Sequence, residues 1–135
     1  MSALAERPNS WQFALRIDAV PRGLVSECQA LIAGVQVVDP KELLAKAKSE
    51  FYRKRIRERW PGLDQVRVYI PLSEDMKLED IRRIIDICDA PFDRMDFIVG
   101  LLMTGDSEYS VLPPWLLRLI RAIDCEVTVN VTYNP

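Results

Sequence analysis

The chain contains no histidine. That absence removes imidazole acid–base chemistry, Ser-His-Asp and Cys-His nucleophile activation, and most catalytic zinc sites. Glycine is scarce, with five in 135 residues, and neither G-x-x-x-x-G-K-[ST] nor G-x-G-x-x-G occurs. The common phosphate-cradling loops are therefore excluded. The three cysteines, Cys28, Cys88 and Cys125, are odd in number, far apart and without C-x-x-C spacing. This argues against a zinc site and against a disulfide framework. Each lies in an apolar stretch and is expected as a buried, inert thiol. No apolar run approaches the ~18 residues that a membrane span needs. Residues 1–9 carry Glu6 and Arg7 and lack an apolar signal core, so the expected setting is the cytoplasm, with this segment as a frayed arm.

Apolar residues make up 49% of the chain and charged residues 28%, with a net charge of −2. This is an ordinary globular mixture, long enough for one domain with one core. Four strands are expected, three of them from clean alternation of period two. The first runs from Asn9 to Asp18, with Trp11, Phe13, Leu15 and Ile17 on one face. The second runs from Gln65 to Leu72, with Val66, Val68 and Ile70 opposite Arg67 and Tyr69. The third, Arg94 to Met103, is apolar on both faces after Asp96 and is expected near the sheet centre. The fourth, Glu126 to Tyr133, alternates Val127, Val129 and Val131 with Thr128, Asn130 and Thr132.

Between them lie four helices. One starts at Pro21 and reaches Ala33, with Gly34 as its C-cap glycine. A second runs from Asp39-Pro40 to Trp60 and is closed by Pro61-Gly62. A third begins at Ser73 to Asp75 and ends at Cys88, with a core stripe of Leu78, Ile81, Ile85 and Cys88. A fourth runs from Pro113-Pro114 to Ile123. Val35 to Val38 is a possible short extra strand, and Thr104 to Ser110 a polar loop. Alternating strands favour an α+β two-layer sandwich, a mixed or mainly antiparallel sheet with helices on one face. The rival is a three-layer α/β arrangement.

Charge is segregated along the chain. Lys41 to Trp60 holds eight basic residues against three acidic ones, interleaved with Phe51, Tyr52, Ile56 and Trp60. Its dense part, Arg53, Lys54, Arg55, Arg57 and Arg59, is a candidate nucleic-acid surface; the plainer reading is a solvated face with its apolar stripe on the sheet. Asp64 to Asp96 holds nine acidic residues against five basic ones. Within it, Asp75, Glu79, Asp86, Asp89 and Asp93 form a candidate surface for a basic protein, with Tyr69 and Tyr109 as aromatic anchors. The plainer reading is a soluble face with pairs such as Glu79–Arg83 at i, i+4. Asp86-x-x-Asp89 and Asp93-x-x-Asp96 lack the spacing of a calcium loop. No catalytic residue, metal ligand or cofactor is expected.

The opening Trp11-Gln12-Phe13-Ala14-Leu15-Arg16-Ile17 and the closing Leu112-Pro113-Pro114-Trp115-Leu116-Leu117 and Val127-Thr128-Val129-Asn130-Val131 resemble small bacterial proteins encoded beside polymorphic toxins. That resemblance covers the two ends of the chain. It implies an immunity protein, a non-catalytic binder that holds a cognate toxin inactive. A nucleic-acid or ribonucleoprotein accessory module using the basic helix is the alternative.

Overall fold

The computed structural model describes residues 10–60, 62, 64–90, 92–103 and 112–133. The expected arm at residues 1–9 and the expected loop at 104–110 lie outside this set. Strand β1 (Ser10–Pro21) leads through a 3-10 turn into α1 (Val25–Leu31), then β2 (Gln36–Val38), α2 (Pro40–Lys46) and α3 (Glu50–Arg59). Next come β3 (Gln65–Pro71), α4 (Leu78–Cys88), β4 (Met95–Met103), α5 (Pro114–Ile123) and β5 (Glu126–Tyr133). The strands form one mixed sheet in the order β2-β3-β1-β4-β5. All neighbours are antiparallel except β4 and β5, which are parallel. The parallel pair follows from its connection, because α5 carries the chain back along the sheet before β5 begins.

Register decides which side chains share a face. Leu15 lies between Ile70 and Phe97, and Ile17 between Val68 and Met95. These residues and Val20, Val66 and Val99 form the core with Cys28 of α1, Ile81, Ile84 and Cys88 of α4, and Leu116, Leu119 and Ile123 of α5. Helices α1, α4 and α5 thus cover one face of β3, β1 and β4, which is the expected two-layer α+β sandwich. At the open end of this layer Trp115 meets Phe13 edge to face, with ring centroids 5.7 Å apart.

The opposite face is polar and satisfied by cross-strand pairs. Arg16 donates to Asp96 through Nε (2.8 Å to Oδ1) and Nη2 (2.6 Å to Oδ2). The Thr128 hydroxyl donates to the same Oδ2 at 2.7 Å, tying β1, β4 and β5 together. Hydrogen bonding to Asp96 is the main cause that pushes the Arg16 guanidinium further up, so it stays charged. Arg67 on β3 is buried, bonded to Asp18 on β1, and stacks on the Trp60 ring at 5.3 Å.

Several local expectations change. The sheet has five strands, because the short run before Asp39 does pair, as β2 on β3. The first strand extends to Pro21 through a bulge after Ile17, where Ala19 takes φ 58°. The basic helix is two helices. Asp39 caps α2 by accepting from the Lys41 amide, and Ser49 caps α3 by accepting from the Tyr52 amide. Gly34 does not have a positive φ; a Cβ there would lie 3.3 Å from the Pro71 ring, so close approach, not capping, favours glycine. Left-handed caps occur instead at Asp89 and Asp124, which end α4 and α5. α4 starts at Leu78, three residues after Asp75, and buries Ile84, whereas Leu78 and Ile85 are half-buried.

Replacing Asp96 with alanine strips Arg16 and Thr128 of their shared acceptor. We expect a loss of about 2 kcal/mol in unfolding free energy. Urea titration reads this as a lower midpoint with an unchanged slope.

Candidate functional site

Three surfaces carry the candidate residues, and the fold keeps them apart. The first is the solvent side of α4. Ile81, Ile84 and Cys88 point into the core, so at 100° per residue Glu79 and Asp86 point the other way. Asp75 precedes the helix, Asp89 closes it and Asp93 follows in a 3-10 turn; all five are exposed. Among the described residues no ion pair engages any of them. The expected Glu79–Arg83 pair is therefore not formed, and Arg82 instead donates to the Ala122 carbonyl of α5 at 3.4 Å. Asp89 also has a backbone task, holding the left-handed turn in which its amide donates to the carbonyl of Asp86.

Tyr69 does not join this group. It lies beside Arg16 on the opposite, open face of the sheet, next to Gln36 of β2. Tyr109 lies outside the described residues. The expected acidic and aromatic surface is thus an acidic helix face without Tyr69.

The second surface is α3. None of its residues is buried, and Phe51 and Tyr52 are 66% and 61% exposed. The expected docking of an apolar stripe on the sheet does not occur; only Ile56 and Arg53 are half-covered. Arg53 pairs with Glu50 (3.0 Å), and Arg55 sits over the Phe51 ring at 5.7 Å. Lys54 and Arg57 have no ion pair among the described residues. Arg59 lies over Trp60 at 5.3 Å, on an indole that Arg67 also approaches. Trp60 is buried and fastens the end of α3 to the sheet. Beside it Arg59, Arg67 and Arg94, with Asp18, line a hollow of about 340 Å³.

The third is the open sheet face, where a broad trough of about 740 Å³ lies over Gln12, Ala14, Tyr69, Ile98, Gly100 and Asn130. It exists because Ala14 and Gly100 are small and no helix of the described residues covers this side. The charge periodicity of the sequence found the first two surfaces. The trough was missed, although the open face was legible in the alternation of Gln12, Ala14 and Arg16 with apolar residues.

The thiols are poor nucleophiles. Cys28 and Cys88 meet at 3.7 Å between sulfurs inside the core, as free thiols that share a hydrogen bond and no disulfide. Burial pushes the Cys88 thiol up to about 12, with a further contribution from Cys28, and burial also raises Cys28. Cys125 is half-buried, not buried as expected; desolvation, then the Asp96 charge, raises it to about 11. Among the described residues no cluster of Cys, Asp and Glu is arranged to hold a metal ion. No helix of the described residues is long and apolar enough to cross a membrane.

No family model, curated protein or solved structure matches the chain. The functional reading rests on its own residues.

Raised folded-state thiol pKa values favour the native state while the thiols are neutral. That contribution is complete below the ordinary value near 9 and is lost as pH rises toward about 12. Replacing Cys88 with alanine is expected to flatten the fall of unfolding free energy between these pH values, leaving its pH dependence below 8 unchanged. Urea titrations of both proteins across that range make the comparison.

Proposed function

We propose that the chain is a non-catalytic binding protein of the immunity type, which holds a cognate protein toxin inactive through the exposed side of α4. The observation that carries this reading is the set of five carboxylates, Asp75, Glu79, Asp86, Asp89 and Asp93, exposed and without an ion-pair partner among the described residues. Their helix is anchored by three buried side chains, so little order has to be created on binding. Arg82 and Arg83 are exposed on the same side of α4, so the charge there is mixed, with acidic groups in excess across the whole segment. An acidic excess speeds encounter with a basic partner and disfavours acidic ones. The resemblance of the chain ends to toxin-neighbour proteins points the same way.

The test is co-expression with any toxin encoded next to this chain's gene, scored by co-purification and by relief of growth arrest. The Glu79→Lys, Asp86→Lys double variant is expected to associate at least about tenfold more slowly at low salt, with a smaller change in dissociation rate. Failure both to co-purify and to protect contradicts the reading.

A second reading has its own observation. α3 presents Phe51 and Tyr52 beside Arg53, Lys54, Arg55, Arg57 and Arg59, and its end borders the three-arginine hollow. Aromatic faces and guanidinium groups together suit a nucleic-acid strand, as an accessory module would use. Fluorescence anisotropy with single-stranded RNA and duplex DNA tests it. Binding is expected to weaken steeply with salt and to be lost when Arg53, Arg55 and Arg57 become glutamate; no binding by the unaltered chain removes this reading.

A further inference from the structure

We propose that two copies of this chain associate through their β5 strands, paired antiparallel across a two-fold axis, so that the two sheets become one. The inference is independent of α3 and of the acidic side of α4, and three observations carry it.

First, β5 is an edge strand with no protection among the described residues. The other edge, β2, is three residues long and followed by Asp39-Pro40. β5 runs for eight residues and carries no charge, proline or glycine from Val127 to Tyr133. Its outer edge presents unpaired backbone groups among the described residues. Edges of this length normally carry a lysine, a proline or a bulge, because otherwise they pair with another strand.

Second, its apolar side is uncovered. Val127, Val129 and Val131 lie level with Phe97, Val99 and Leu101 of β4, so they continue the core face of the sheet. Phe97 and Val99 are buried, yet Val127 is 42% exposed and Val129 and Val131 are 59% exposed. The helical layer stops short of them. Trp115 of α5 packs on Phe13 of β1, two strands in from β5. Three exposed valines therefore border one edge.

Third, the strip matches itself. An antiparallel pair centred on Val129 sets Val127 against Val131 and Val129 against its own copy on one face. Thr128 then meets Asn130 on the other. A two-fold interface needs such self-complementarity. Val–Val pairs across strands are favourable, and no like charges meet. The two Glu126 residues fall at opposite ends of the ladder, six residues or roughly 20 Å apart, beyond the screening length of physiological salt. An uncharged, symmetric strip offers little with which to select a charged foreign strand, so a second copy is the occupant it fits.

Sedimentation equilibrium of the full chain from about 1 to 100 μM is expected to show a monomer–dimer equilibrium, as a small interface implies. Val129→Lys is expected to remain folded by circular dichroism, since the side chain is exposed, and to sediment as a monomer. A second arm fixes the register. In a Cys125→Ser background, Val129→Cys is expected to form a disulfide-linked dimer on mild oxidation, whereas Val127→Cys, placed opposite Val131, is not. A wild-type chain that is monomeric throughout overturns the proposal. So does a dimer unaffected by Val129→Lys, or equal cross-linking at 127 and 129.

Discussion

Burial on a single face of the sheet is the constraint on which the other features depend. β1 is hydrogen-bonded on both sides, to β3 and β4, and contributes Leu15, Ile17 and Val20 to the core. Three helices close over that face, chiefly above β3, β1 and β4, with Val37 of β2 packed at the margin. The other face must then be compatible with water, and Arg16, Asp96, Thr128, Asp18 and Arg67 meet that requirement by pairing across strands. Buried or half-buried charges left alone there would each be costly. No buried side-chain nitrogen or oxygen among the described residues lacks a hydrogen bond.

The same constraint separates the surfaces on which function can be built. α4 and α5 are amphipathic and dock through apolar stripes, so their outer sides are fixed in place. α3 has no such stripe. A ten-residue helix is marginal in isolation, and α3 is retained by its Ser49 cap at one end and by buried Trp60 at the other. It is thus an outlying basic arm, while the acidic residues sit on the rigid layer. β5 is the remaining consequence: it extends the sheet past the last helix, and its valines reach the surface.

Much of this was legible in the sequence. Alternation of period two located three strands, and an apolar run the fourth, to within a few residues, and it oriented Val66, Val68 and Ile70 against Arg67 and Tyr69. It also implied a one-sided sheet. The break between α2 and α3 was not read, because Ala47-Lys48 suits a helix and the signal was only the cap at Ser49. The helix ends at Cys88 and Ile123 were legible, but not the left-handed turns at Asp89 and Asp124 that close them, since glycine is the usual signal and a short polar side chain tolerates the same conformation. Strand order was beyond reach, since alternation says which face a residue takes and nothing of its neighbours. Tyr69 was grouped with carboxylates that lie across the sheet from it, although its alternation with Val68 and Ile70 already put it on the opposite face. The charge segregation was legible in full; the end of the acidic helix was too, whereas the basic segment expected as one helix is α2 and α3.

The central claim is that the cooperative core comprises β3, β1 and β4 with α1, α4 and α5, and that α3 lies outside it. Native-state amide hydrogen exchange, resolved by residue, tests this most directly. The account predicts the slowest exchange in β1, β3 and β4, at rates set by global unfolding, with α4 close behind. Amides of α3 should exchange orders of magnitude faster, through local opening that leaves the sheet intact. Protection of α3 equal to that of β1 would contradict the account.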